Sequence, residues 1–169
     1  MSNDNLRDNH ETVGRAMNNT LLPLLAGFVG QTLSKYYRAD WWQRGVLDVL
    51  LPDQRRNLPR AGNYETFTNA MDVPLCSIVI NKNWRELFRD KMSDAQKAWL
   101  GELVTIRNCW AHTELDKFND AYVMRALDTM SLFCAPIDEE AAKELRAQLQ
   151  RFQAQHPTDT LDDDDQKFF

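Results

Sequence analysis

At 169 residues, 43% of them hydrophobic, the chain suits one self-sufficient core and falls short of what two ordinary domains need. No apolar run reaches the roughly 18 residues of a membrane span, and the longest, Leu21 to Val29, is broken by Pro23 and Gly27. The formal net charge is −5, but residues 156–169 hold Asp159 and Asp162 to Asp165 against Lys167, which is −4 of it, so the rest is close to neutral and neither excludes nor favours a nucleic-acid partner.

Cys76, Cys109 and Cys134 are odd in number and far apart, which fits buried reduced thiols better than a disulfide framework. His10, His112 and His156 are equally scattered, and no Cys or His has a second donor at metal-like spacing. Neither a metal nor a cofactor is expected. The opening S-N-D-N-L-R-D-N-H-E lacks a basic stretch leading into an apolar one, so a cytoplasmic location is expected.

Apolar residues recur three and four apart along most of the chain, β-branched runs are few, and no internal repeat is visible; the class is all-α. The first helical pattern runs from about Glu11 to Tyr37, with Leu21, Leu24, Leu25, Phe28, Val29 and Leu33 on its apolar side and Pro23 bending or restarting it. A shorter one covers Trp41 to Leu50. The stretch L-P-D-Q-R-R-N-L-P-R-A-G-N is a loop with at most one helical turn. Its Arg55, Arg56 and Arg60 read either as solvated loop residues or as a patch for RNA phosphates.

Asp72 to Met92 reads as helix, with Asp72 as N-cap and Pro74 tolerated in the first turn. Ser93 and Gln96 form a capping box that starts the next helix, Asp94 to about His112. Asn119 caps a helix with the stripe Val123, Ala126, Leu127, Met130 and Phe133, which ends at Pro136. A last helix, Asp138 to about Gln155, is entered by acidic residues and buries Leu145, Leu149 and Phe152. The expected organisation is a helical domain over residues 1–155, an antiparallel bundle of four to five main helices plus a C-terminal helix. Residues 156–169 then form a disordered acidic tail or linker.

The helix from Asp94 carries two stripes. Trp99, Leu103, Ile106 and Trp110 lie within about 60° of one another and read as core. Opposite them run Gly101, Thr105, Asn108 and His112, short and polar where a solvated face would hold Lys or Glu. Small residues admit a second backbone, so this face is expected to meet another helix, of this chain or of a symmetry mate, with Asn108 and His112 in a partly buried polar seam. Arg107 and His112 point about 140° apart, so one chain cannot aim both at one spot. A two-fold axis near Asn108 would bring two Arg107 and two His112 together. The plainer alternative is a helix-ending histidine and a surface arginine.

The hexapeptide Arg107-Asn108-Cys109-Trp110-Ala111-His112 resembles the signature of the HEPN superfamily, an Arg, a polar residue often Asn, and a His a few positions on. The form R-N-x-W-A-H is similar to the subgroup found on transcription-quality-control endoribonucleases and, in prokaryotes, beside ATPases of restriction and phage-defence systems. Y-Y-R-A-D-W-W (36–42), N-K-N-W-R-E-L-F (81–88) and F-N-D-A-Y-V-M-R-A-L-D-T-M (118–130) agree with it, so the resemblance covers about residues 15 to 135. It implies a helical bundle that forms a homodimer through the motif helix, with Gly101, Thr105, Asn108 and His112 at the interface. For active members it implies RNA cleavage without a metal, with Arg107, Asn108 and His112 as catalytic residues, in a phage-defence, restriction or toxin-like system. It equally admits a non-catalytic module that binds RNA, a nucleotide or a partner such as an ATPase, helicase or nuclease.

Overall fold

The computed structural model describes residues 2–157, and those residues form helices and turns with no strand among them. The acidic run Asp162 to Asp165 and the closing Phe168-Phe169 lie outside the described residues.

The chain begins with α1 (Asn3–Ala16), capped by the Ser2 hydroxyl, and continues through a π-helical turn (Met17–Leu21) into α2 (Leu22–Tyr37). The helical rod therefore starts well before Glu11. The polar sequence hides this, because only Asn9, Val13, Gly14 and Ala16 of α1 are buried. Pro23 has no N–H to close an α-helical ring, and the wider π register, with the Leu22 amide donating to the Met17 carbonyl, lets the rod continue past it. The expected helix Trp41 to Leu50 is in fact short: α3 (Trp41–Gly45) stands between two 3₁₀ turns, Arg38–Asp40 and Leu47–Val49. A single turn, α4 (Pro52–Arg55), follows in the proline-rich loop. The sequence pattern missed α5 (Tyr64–Ala70), which has one fully buried residue, Phe67, and an N-cap in Asn63.

The expected Asp72 to Met92 helix is also two pieces, α6 (Val73–Lys82) and a π turn (Trp84–Phe88). Asn83 makes the break. It is 2% exposed, its amide donates to the carbonyls of Gly45 (3.1 Å) and Val79 (2.9 Å), and its oxygen accepts from the Tyr37 hydroxyl (2.7 Å). A buried amide with its bonds filled holds a helix end as firmly as a core contact.

Then come α7 (Asp94–Ala111), α8 (Asp120–Cys134) and α9 (Glu139–Gln155), started by the Ser93 capping box, Asn119 and Asp138 as their sequences require. α7 packs on α6 and α8, α8 on α1 and α9, and α9 also reaches the first π turn. The core runs through all of them, from Val13 and Leu25 through Val79, Leu103, Leu127 and Phe133 to Leu145. Two buried amides lock the ends of α7 and α8 in place: Gln96 donates to the Phe133 carbonyl (3.2 Å), and Asn9 donates to the Phe118 carbonyl (2.8 Å) and the Asp120 carboxylate (2.9 Å). All three cysteines are free and buried. Burial pushes the Cys134 thiol up to about 12 and raises Cys76 further, so both stay protonated and inert. No helix among the described residues is long and apolar enough to cross a membrane.

Candidate functional site

The inner side of α7 is Gln96, Leu100, Leu103, Ile106 and Cys109. Leu103 and Ile106 take the places expected of them. Trp99 and Trp110 do not: they are half-buried against the core rather than within it. The reason for Trp110 lies on α1. Its indole is seated over Gly14, where an added Cβ would stand 2.4 Å from Nε1 and 2.8 Å from Cε2. A glycine inside a helix costs about 1 kcal/mol relative to alanine, and here it makes room for the ring. His10, one turn earlier on α1, lies nearly parallel to the indole (11°, centroids 5.5 Å apart) and donates from Nε2 to the Trp110 carbonyl at 2.8 Å. These three residues clamp the end of the motif helix to α1.

The outer side is Gly101, Thr105, Asn108 and His112, all exposed. A Cβ added to Gly101 would meet nothing within 4 Å. Among the described residues no helix of this chain covers the face. That removes one of the two occupants expected for it, and in a single chain Asn108 and His112 are open to solvent rather than set in a seam.

Arg107 stands on the flank toward α6. Its Nη2 donates to Oδ2 of Asp72 at 3.1 Å, and both side chains are about one-third exposed (30% and 36%). Oδ1 of the same carboxylate caps α6 by accepting from the Leu75 amide (2.8 Å). The arginine is thus held by the residue that starts a neighbouring helix, with donors left over for another anion. Sequence spacing found Asp72 as a cap and could not show its second bond, which joins positions 35 residues apart.

His112 is the C-cap of α7, and its ring makes no bond to another described group. The helix closes in a Schellman turn: Glu114 N–H donates to the Cys109 carbonyl and Thr113 N–H to that of Trp110 (3.1 Å each). Thr113 takes the left-handed conformation this requires (φ 54°), a position that glycine fills at no cost and a β-branched residue only under strain of about 1 to 2 kcal/mol. The turn folds residues 114–118 back over Cys109, bringing Lys117 Nζ to 3.8 Å from its sulfur. Arg107, Asn108 and His112 therefore share one end of α7, with Asn108 and His112 on its outer face and Arg107 turned away to the flank, as their spacing predicts.

The three loop arginines lie apart from this site. They line a cavity of about 370 Å³ with Gln43, Leu47, Leu58 and Pro59. Arg55 donates to the Leu47 carbonyl (2.9 Å) and Arg56 pairs with Asp53 (2.6 Å), so two of them also brace their own loop.

An all-α bundle whose longest helix ends in an exposed R-N-x-x-x-H face defines a HEPN-type domain. The family model for Swt1-like HEPN matches residues 15–138, and the chain belongs to that family. All of α1 but its last two residues, and the whole of α9, lie beyond the match. No curated protein and no solved structure matches the chain.

Proposed function

We propose that the chain is a metal-independent endoribonuclease that works as a homodimer built through the outer face of α7. The observation that carries this is that face itself: small, polar and uncovered from Gly101 to His112, on the helix that also holds Arg107. Docked on a two-fold axis near Asn108, two such faces would bring two His112 rings together.

The chemistry then has its parts. A ribose 2′-oxygen attacks the adjacent phosphorus, the bond from phosphorus to O5′ breaks, and the products are a 2′,3′-cyclic phosphate and a 5′-hydroxyl. One His112, in its neutral form, takes the 2′ proton while the other, protonated, gives one to O5′. Arg107 offers its remaining N–H groups to the phosphorane oxygens, and Asn108 hydrogen-bonds the phosphate or the opposite histidine. Arg55, Arg56 and Arg60 would contact RNA phosphates away from the cut. A cytoplasmic defence, restriction or toxin-like setting, beside an ATPase, helicase or nuclease, belongs to this proposal.

The test is incubation of the purified protein with single-stranded RNA in EDTA. Cyclic-phosphate ends are expected, together with their loss in His112→Ala at unchanged oligomeric state. Arg107→Lys keeps the charge and loses the fork, and activity should fall at least tenfold, by about the 1.4 kcal/mol of one charge-assisted hydrogen bond or more. A monomer at micromolar concentration would sink the composite site.

A second reading, a non-catalytic HEPN module that binds RNA, a nucleotide or a partner protein, is favoured by one observation: Arg107 already has an anionic partner in Asp72. RNA left intact by the wild type would select it.

A further inference from the structure

The cleavage scheme leaves the tryptophan of the hexapeptide without a role. Between α1 and the end of α7 lies a cavity of about 520 Å³, lined by His10, Glu11, Gly14, Arg15, Asn18, Asn19 and Trp110. We infer that this cavity is a pocket for one unpaired nucleobase of RNA. The inference deepens the nuclease reading and rests on it for the choice of RNA as ligand.

The volume lies within the range of small-molecule sites and admits a base with part of its sugar. The wall offers what a base needs. His10 and Trp110 stack on one another and both line the cavity while only partly buried, so the aromatic pair leaves an uncovered side for a base. The bond from His10 Nε2 to the Trp110 carbonyl makes Nε2 the donor and leaves Nδ1 without a partner among the described residues. Asn18 and Asn19 are exposed on the same wall, and each amide supplies both donors and an acceptor, the pattern of a base edge. Glu11 can accept from an exocyclic amine, and Arg15, also exposed, can meet a phosphate.

Two features of the backbone shape this wall. The glycine that seats Trp110 is part of its lining, and Asn18 and Asn19 belong to the π turn, a form that recurs at functional sites. Trp110 precedes His112 by two residues on a helix about 10 Å across, so a strand cut at His112 reaches the cavity within a few nucleotides.

The experiment follows the indole ¹⁵N–H resonances of the full protein, with Trp110 assigned by Trp110→Phe. The probes are the four nucleoside 5′-monophosphates, inorganic phosphate, and a short single-stranded RNA made uncleavable by 2′-O-methylation. Saturable movement of the Trp110 resonance with nucleotides and RNA, and none with phosphate, is expected. Trp110→Ala should weaken binding of the 2′-O-methyl RNA about 5- to 150-fold, the range for loss of one stacked base. Because Trp110 also packs on α1, Arg15→Gln and Asn19→Ala, both at exposed positions, decide the matter if Trp110→Ala unfolds; each should weaken nucleotide binding. A Trp110 resonance that ignores nucleotides, or moves equally with phosphate, overturns the pocket. If RNA is cut while that resonance stays still, the pocket falls and the nuclease stands; nucleotide binding without cleavage has the opposite meaning.

Discussion

Along α7, Leu100, Leu103 and Ile106 on the inner side are at most 2% exposed, whereas Gly101, Thr105, Asn108 and His112, half a turn away, are open to solvent. Beyond Gln96 the inner side is apolar, and each of its leucines stabilises the fold by a few kcal/mol. The outer side is made of residues that add little to a single chain, and its glycine weakens the helix. One helix therefore separates what the fold needs from what a partner or a substrate would need, and each side can be changed without touching the other.

That separation can be broken from either side. The largest effect should come from His112→Ala, which is expected to lower RNA cleavage by about 10² to 10⁴-fold, the scale of a lost general acid or base, with the melting temperature unchanged. Leu103→Ala should do the reverse: chemical denaturation should show a loss of about 2 to 5 kcal/mol, while activity per folded molecule survives. A smaller and more pointed change is Gly101→Ala. With open space over the glycine, the isolated chain should gain up to about 1 kcal/mol of helix stability, whereas a dimer that needs close backbones there should dissociate at lower dilution. Gain in stability with an undiminished dimer would remove this face as the interface.

The smallest effect lies between the two sides, at Glu102. Arg125 hydrogen-bonds both its oxygens (2.7 and 3.0 Å) and holds its carboxyl below the usual range, against partial burial and with help from Thr129. A carboxyl with a lowered folded pKa adds stability above its unfolded pKa and loses it as the pH falls through the folded one. The difference in stability between wild type and Glu102→Gln should therefore be present at neutral pH, shrink below about pH 4, and weaken in high salt, since Arg125 is exposed. A difference that persists at acid pH would point to packing instead.

How much of this could be read from the sequence follows from where each signal sits. The caps Asp72, Ser93 and Asn119 act on neighbours within three residues, and all three start the helices they announce; Asp138, read as one of the acidic residues that enter the last helix, is in fact the N-cap of α9. The all-α class and the two stripes of α7 are periodic features and were equally visible. What was hidden depends on distant partners. Asn83 breaks a helix because Tyr37 and Gly45 receive it, and Trp110 leaves the core because Gly14 makes a seat for it on α1. The start of α1 was hidden because a polar helix with four buried residues has almost no apolar stripe. At the site, the residue types Arg107, Asn108 and His112 were legible; the hold of Asp72 on Arg107 was not.

Asp72 has one oxygen in each of these two worlds, Oδ1 on the first turn of α6 and Oδ2 on Arg107. Serine, threonine or asparagine at this position would start the helix and leave the arginine loose, while glutamate could hold an arginine but caps poorly. Only aspartate does both. Position 72 is therefore a place where a descendant of this chain could give up its arginine's anchor and still fold, since a single base change from aspartate to asparagine keeps the cap and drops the ion pair.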